Sequence, residues 1–472
     1  MPTPDTMTGC PVDHSAMRQP EVIPSTELPG STLPLIAQLW KYRTLRTVWL
    51  SQLRTEHGHR FRMNFRPKAK IYLISDPDDV KAMFLAPRDV LHTGNGSDIL
   101  EKFFGGTGLA FLDEEAHLAR RKALMPSIKG EAFKRIEAAA IARAKHDVAK
   151  WPREEIISVH PHAHRYTIEV IREVVFGRVT PSSWDDLGEE IFQVMEFNNH
   201  LATVLMFERA PRPVTWLLRA IRSTGVDHFL RHRERADELL FEAIEERRSS
   251  GDLGDDMLSM LLRITHDDGS ALSTREIRDE VMTMFVAGTE TTASAICWAL
   301  EYLSREPEVA QRVRAELDEG AGDAYLTAVV YELLRVRPPL PMIILRKVMK
   351  PLEIGGVRYE VGDELFASAH LLNHDPNHYD DAEAFRPERF LDVKPGANTW
   401  IPFGGGAIRC LGDRIAITEI KAVLSNVLST CELRREDTTP ERTRSRGVLI
   451  VPENDARLEL VPRTADLKLV EN

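Results

Sequence analysis

Cysteine is scarce: four residues in 472, at Cys10, Cys297, Cys410 and Cys431. So few thiols in so long a chain exclude a disulfide scaffold, and the lack of any Cys-x-x-Cys pair argues against a structural zinc site. A basic excess is missing too. Lys and Arg total 61 against 72 Asp and Glu, a net charge of -11. Neutralising phosphates needs the opposite sign, so no nucleic acid partner is expected. No segment approaches the roughly 20 apolar residues of a membrane span; Leu33 to Trp40 is much too short. The first thirty residues are polar and proline-rich, without the order of a signal peptide. Residues 1–32 are therefore expected to form a polar, flexible tail, and the protein to be cytoplasmic with no membrane anchor. No Gly/Ser/Pro-rich linker and no fixed-period repeat divides the rest, so 33–472 reads as one large domain.

What is present is mostly helical pattern. Apolar residues recur at helical spacing over Glu131–Trp151, Ile168–Phe176 and Val226–Arg248. The clearest helix opens on Ser273-Thr274-Arg275-Glu276, a capping-box pattern, and runs to about Ser304, with Pro307 opening the next. Its middle, Val281 to Ala299, is apolar on nearly every side and so belongs in the interior. Extended segments are fewer: Ala69–Ser75, the run Leu352–Leu365 with a turn at Gly355-Gly356, and Ser445–Pro452 with Ala456–Val461, which are expected to pair as a hairpin. The fold class is mainly α with a small β region.

Three stretches carry chemistry. In Trp400-Ile401-Pro402-Phe403-Gly404-Gly405-Gly406-Ala407-Ile408-Arg409-Cys410-Leu411-Gly412, glycines remove Cβ atoms where backbone must come close to a flat ligand. An amphipathic helix follows, so Cys410 falls at a helix N-terminus, where free N–H groups favour a thiolate. Glu332-Leu333-Leu334-Arg335 is, by itself, an ordinary i, i+3 ion pair. Ala287-Gly288-Thr289-Glu290-Thr291-Thr292 places a glycine in a buried helix, which suggests a distortion or the close approach of something flat. The plain alternative is threonines bonding their own helix carbonyls.

Together these stretches resemble the cytochrome P-450 family. Phe403, Gly406, Cys410 and Gly412 match its cysteine loop, Phe-x-x-Gly-x-x-x-Cys-x-Gly. Glu332 and Arg335, with Arg389 of Phe385-Arg386-Pro387-Glu388-Arg389-Phe390, match its Glu-x-x-Arg and later Arg. The motifs follow in the family's order over about Leu33 to Pro462. The resemblance implies a single-domain cytochrome P-450 fold and haem b, with Cys410 as the axial ligand of the iron. It implies that Phe403, Gly404, Gly406, Gly412, Ala287 and Gly288 lie against the haem, and that His117, Arg121 and Arg346 hold its propionates. One departure stands out. The family usually has Arg or His two residues before the cysteine, and this chain has Ile408.

By the same resemblance Thr291 and Glu290 deliver protons where dioxygen is cleaved, while the thiolate pushes electron density onto the iron. The implied reaction is insertion of one atom of O2 into a lipophilic small molecule, with electrons from NAD(P)H through a separate ferredoxin-type donor. A monomer is expected. Two other readings stay open: a peroxide-driven or isomerising enzyme of the family, and a haem-based ligand sensor. Substrate contacts are expected from Asn95–Gly108, Glu190–Arg222, Thr283–Thr291, Pro341–Leu345 and Val448–Ile450. A basic docking face for the donor is expected from Arg120, Arg121, Lys122, Arg409, Arg414 and Lys421.

Overall fold

The computed structural model describes residues 22–64, 70–94, 101, 105–196, 212–221, 225–343 and 345–463. Its axis is one helix, Thr274–Arg305, of 32 residues. At 1.5 Å per residue that is about 48 Å, enough to cross the whole body. The expected cap is in place: Ser273 Oγ accepts from Glu276 N at 3.2 Å, and Glu276 Oε2 accepts from Ser273 N at 2.9 Å. Among the elements packed around this axis are the helix Val159–Phe176, the helix Asp413–Thr430 and the strand Leu449–Pro452. The interior there is aromatic as well as aliphatic, with Phe285 of the axis stacked on Trp184 at 5.8 Å and near Phe176 at 6.3 Å.

The helix of Val159–Phe176 begins nine residues before the periodic stretch read from the sequence. Its first turns carry His160, His164 and Arg165, and charged letters hide an inward face when their partners are distant in sequence. The long helix runs unbroken through Gly288, which the sequence marked for a distortion or a close approach. The structure gives that glycine another reason: a Cβ there would lie 2.4 Å from Cδ1 of Ile171 on the neighbouring helix.

The β region is small. One mixed sheet runs in the order Arg60–Met63, Ile71–Ile74, Glu364–Ala367, Arg346–Val348, Leu91–His92. Leu352–Ile354 and Val357–Tyr359 form the hairpin expected around Gly355-Gly356, and Ile23–Pro24 joins Val357–Arg358 in parallel. The first packed residues thus fall inside the stretch expected to be a tail. The C-terminal pairing differs from expectation. Thr443–Arg446 pairs with Leu449–Pro452 as a hairpin of its own, and Arg457–Pro462 pairs with Cys431–Arg434 and with Ile156–Ser158. Gly447, with φ +59, makes the tight turn inside a segment that had read as one strand. Among the described residues no helix is long and apolar enough to cross a membrane.

Candidate functional site

The cysteine loop is shaped by contacts that leave no room for side chains. Gly404 and Gly406 adopt φ of +65 and +66. A Cβ on Gly405 would lie 2.3 Å from the Phe84 ring, and one on Gly406 2.3 Å from the Phe84 carbonyl oxygen. The loop closes when Cys410 N donates to Phe403 O at 2.9 Å, and Gly412 then caps the helix Asp413–Thr430. Phe403 is fixed from behind by an edge contact with Trp400 at 5.8 Å, and Trp400 Nε1 donates to Tyr331 O at 3.1 Å.

Cys410 opens onto a cavity of about 390 Å³ whose far wall is the long helix. The lining includes Ala287, Gly288, Glu290 and Thr291 from that helix and His117, Arg121, Phe403, Gly404, Ile408 and Gly412. Nine of these, all but Ile408, are expected site residues, and they converge on the cavity that Cys410 faces; Gly406 and Arg346, also expected against the haem, are not part of its lining. The space between is apolar, walled by Leu112, Ile171, Val174, Met284, Leu340 and Val448. A larger groove of about 860 Å³ runs along the surface beside Leu35–His57, lined by Thr44, Ser51, Arg337 and Glu441, and holds none of the motif residues.

Cys410 is exposed to the cavity, yet the protein atoms around it push its thiol up, while the Gly412 backbone N–H and the charges of Arg121 and Arg409 act the other way. A bound metal ion would make Cys410 a thiolate, because a coordinating thiol gives up its proton outright. Arg346 supplies the second sign that a charged group belongs here. It is buried, donates to Met83 O at 2.9 Å and Gly405 O at 3.3 Å, and leaves its Nε without a partner. No carboxylate opposes the burial, which pushes its pKa down to about 10. A buried guanidinium without a counter-ion is costly, and a haem propionate is an anion that would offset it. His117 is held towards its neutral form by burial and then by Arg121, leaving an imidazole N–H to donate. Arg409 Nε binds Asp413 at 2.9 Å, and Ile408 contributes only apolar surface. The residues present fit haem.

Thr291 Oγ1 donates to Ala287 O at 2.9 Å, the helix self-bonding that threonine favours, while still lining the cavity. Its neighbour Glu290 is buried, 3.0 Å from His160 Nε2 and 2.5 Å from Arg446 Nε. Burial opposes its ionisation, but its neighbours His160, His164 and Arg446 outweigh it and hold the carboxyl well below the usual range. Sequence reading missed His160 and Arg446. The spacing His160-x-x-x-His164 was a visible signal; Arg446 gave none. Also missed was Glu419, nine residues after Cys410, buried on the cavity wall, with Oε1 lacking a hydrogen-bond partner. Burial pushes that carboxyl well above its ordinary range, which keeps it neutral.

The Glu332, Arg335 and Arg389 trio assembles: Arg335 grips Glu332 at 2.7 and 2.8 Å, and Arg389 Nε reaches it at 3.3 Å. Much of the expected substrate wall, residues 95–100, 102–104, 197–211, 222 and 344, lies outside the described residues.

The expected basic docking face does not assemble as read. Arg120 is buried and paired with Glu280 at 3.0 Å, which also accepts from Leu109 N. Lys421 is tied to Asp323 at 2.5 Å, and Arg414 lies over the Phe133 ring at 3.9 Å. Only Lys122 of the 120–122 run is exposed. Arg120→Glu is therefore expected to destabilise the fold by about 3–5 kcal/mol, the usual effect of breaking a buried pair. Chemical denaturation checks this, with Lys122→Glu within about 0.5 kcal/mol of the parent chain.

Site and fold together define a haem-thiolate monooxygenase. A sequence model of the cytochrome P450 family matches residues 28–460. Cytochrome P450 137 of Mycobacterium tuberculosis is 33% identical over 83% of this chain and 81% of its own. Cytochrome P450 135B1 of the same organism is 31% identical over 87% and 86%. Among solved structures, retinoic acid-bound cyanobacterial CYP120A1 aligns with a TM-score of 0.77 at 20% identity, covering 94% of this chain and all of the other. The haem domain of cytochrome P450DA aligns with the same score at 22% identity, covering 94% and 98%. This chain belongs to the cytochrome P450 family, whose members carry haem b on a cysteine thiolate and use O2 and a redox partner to oxidise lipophilic molecules.

Proposed function

We propose that Cys410 is the axial ligand of the haem iron and that Thr291 orders protons on the opposite face. On this reading His117, Arg121 and Arg346 hold the propionates, with Arg346 doing most of what the family's usual Arg or His does at the place of Ile408. Bound haem supplies the chemistry that activates dioxygen. The chain's residues bind and orient the substrate, exclude water and place protons. The carrying observation is that Cys410 and Thr291 line one apolar cavity, beside a buried Arg346 that has no protein counter-ion.

The substrate class is lipophilic and neutral, a terpenoid, steroid, fatty-acid chain or macrocycle, since the described wall offers aliphatic surface and no free charge at its centre. The reaction is hydroxylation or epoxidation. Electrons come from NAD(P)H through a ferredoxin-type protein in the cytoplasm. The Thr291 role is tested by Thr291→Ala, which is expected to keep consuming NAD(P)H while peroxide replaces product. Positioned proton transfer is typically worth roughly 10²–10⁴-fold, so product formation should fall within that range. An unchanged yield of product per NAD(P)H would refute it. A screen of lipophilic compounds for a shift of the haem band tests the substrate class, and a response confined to charged compounds would overturn it.

A further inference from the structure

We propose that His164 and Glu196, through His160, form the route by which protons reach Glu290 from the surface. This deepens the reading of Thr291 and Glu290 above and rests on it. The carrying observation is His164. It is fully buried, and neither ring nitrogen has a hydrogen-bond partner. An unsatisfied buried imidazole destabilises a fold, and an aromatic ring without nitrogens would fill the same space at less cost. Its surroundings show what it connects. Nδ1 faces Glu196 Oε1 at 3.8 Å, and the ring lies 5.5 Å from that of His160, one helical turn earlier. His160 Nε2 meets Glu290 Oε2 at 3.0 Å, and Glu290 lines the cavity next to Thr291.

One end of this row is buried and the other is not. The Glu290 side chain is 3% exposed and that of Glu196, at the end of the helix Trp184–Glu196, is 35% exposed. Arg446 pins both carboxylates, Glu196 at 2.6 Å and Glu290 at 2.5 Å. That guanidinium also decides against a metal ion. His160, His164 and Glu196 could reach a common ligand point, but a fixed positive charge already bonds the acids.

The transfer balances. A proton taken up by the Glu196 carboxylate passes to Nδ1 of His164, the 3.8 Å gap closing by rotation of either side chain. His164 releases the proton on its other nitrogen to His160, whose ring centroid is 5.5 Å away, once ring rotation closes that gap too, and His160 gives up its Nε2 proton to Glu290. Each imidazole ends neutral as its other tautomer, and Glu290 returns to a carboxylate when the proton moves on past Thr291. Two protons are used for each O2 reduced with two donor electrons: one oxygen atom enters the product, and the other leaves as water.

The test uses the full haem-loaded chain with NADPH, a plant-type ferredoxin and its reductase, and methyl dodecanoate, a neutral lipophilic ester, as the probe. NADPH, O2 and peroxide are counted together in H2O and D2O. His164→Phe and Glu196→Gln are expected to raise the share of O2 ending as peroxide at least about threefold and to enlarge the solvent isotope effect. A change in charge packing alone would not enlarge that effect. The control His162→Phe, on the same helix but outside the row, should change neither. A second readout needs no turnover. In ¹⁵N spectra of the histidine rings in the resting protein, Glu196→Gln should move the His164 and His160 signals together and leave His162 in place. If both variants match the parent in peroxide share and isotope effect while Thr291→Ala still uncouples, the route is wrong and the Thr291 reading survives. If Thr291→Ala fails to uncouple, that reading falls as well.

Discussion

Cys410→Ala is expected to abolish the red-shifted band of the carbon monoxide complex in the reduced protein, with no residual thiolate signal. The loss should be complete because no other cysteine among the described residues lines the cavity. Cys297 is wholly buried inside the long helix, where burial pushes its thiol far above the ordinary range, and it does not line the cavity. Cys431 is buried where the strand Cys431–Arg434 begins, at the far end of the helix that follows the cysteine loop. Alanine should not collapse the loop, since its shape depends on Gly404, Gly406 and the backbone bond from Cys410 N to Phe403 O. Secondary structure by circular dichroism should thus be unchanged, separating loss of a ligand from loss of a fold. Cys297→Ala and Cys431→Ala should keep the band. Retention of that band in Cys410→Ala would overturn the axial assignment.

The parts of this molecule that were readable in the sequence are those whose cause is local. Ser273 and Glu276 stand three residues apart, so the cap they form could be named before the helix was seen. The cysteine loop was legible because its glycines and its thiol lie within thirteen residues and its helix follows at once. Where partners are distant, the letters mislead. Arg120 reads as one of three adjacent surface cations, yet its counter-ion Glu280 is 160 residues away. The inward face of its helix, His117, Arg120 and Leu124, has no hydrophobic stripe to betray it. The same holds for Glu290, whose partners His160 and Arg446 come from 130 and 156 residues away along the chain. The strand exchange at the C-terminus is of this kind as well. Arg457–Pro462 finds partners on both sides, and neither is its neighbour in sequence.

Glu332→Ala is expected to cost the fold about 3–5 kcal/mol, from a total that is typically about 5–15 kcal/mol. The carboxylate is wholly buried and accepts four bonds: two from Arg335 at 2.7 and 2.8 Å, one from Arg389 at 3.3 Å and one from the Arg386 backbone at 2.8 Å. Arg335 has no exposed surface, and its remaining N–H groups go to the carbonyls of Asn373, Ala382 and Ala384. With the acid gone, that guanidinium stays in the interior with dipoles alone to balance it. The damage reaches the cysteine loop by two short paths. Tyr331, adjacent to Glu332, holds Trp400 against Phe403, and Tyr379, beneath the Arg335 guanidinium at 5.0 Å, donates to Thr399 O. The yield of soluble haem-bound protein should therefore drop sharply, and denaturant midpoints should fall with it. Glu332→Gln keeps one carbonyl acceptor for the guanidinium and should lose less. Since no atom of Glu332 lines the cavity, whatever folds should still give the thiolate band. A Glu332→Ala protein as stable and as haem-replete as the parent would show that the trio does not support the loop, and a folded one without the thiolate band would place Glu332 in the site itself.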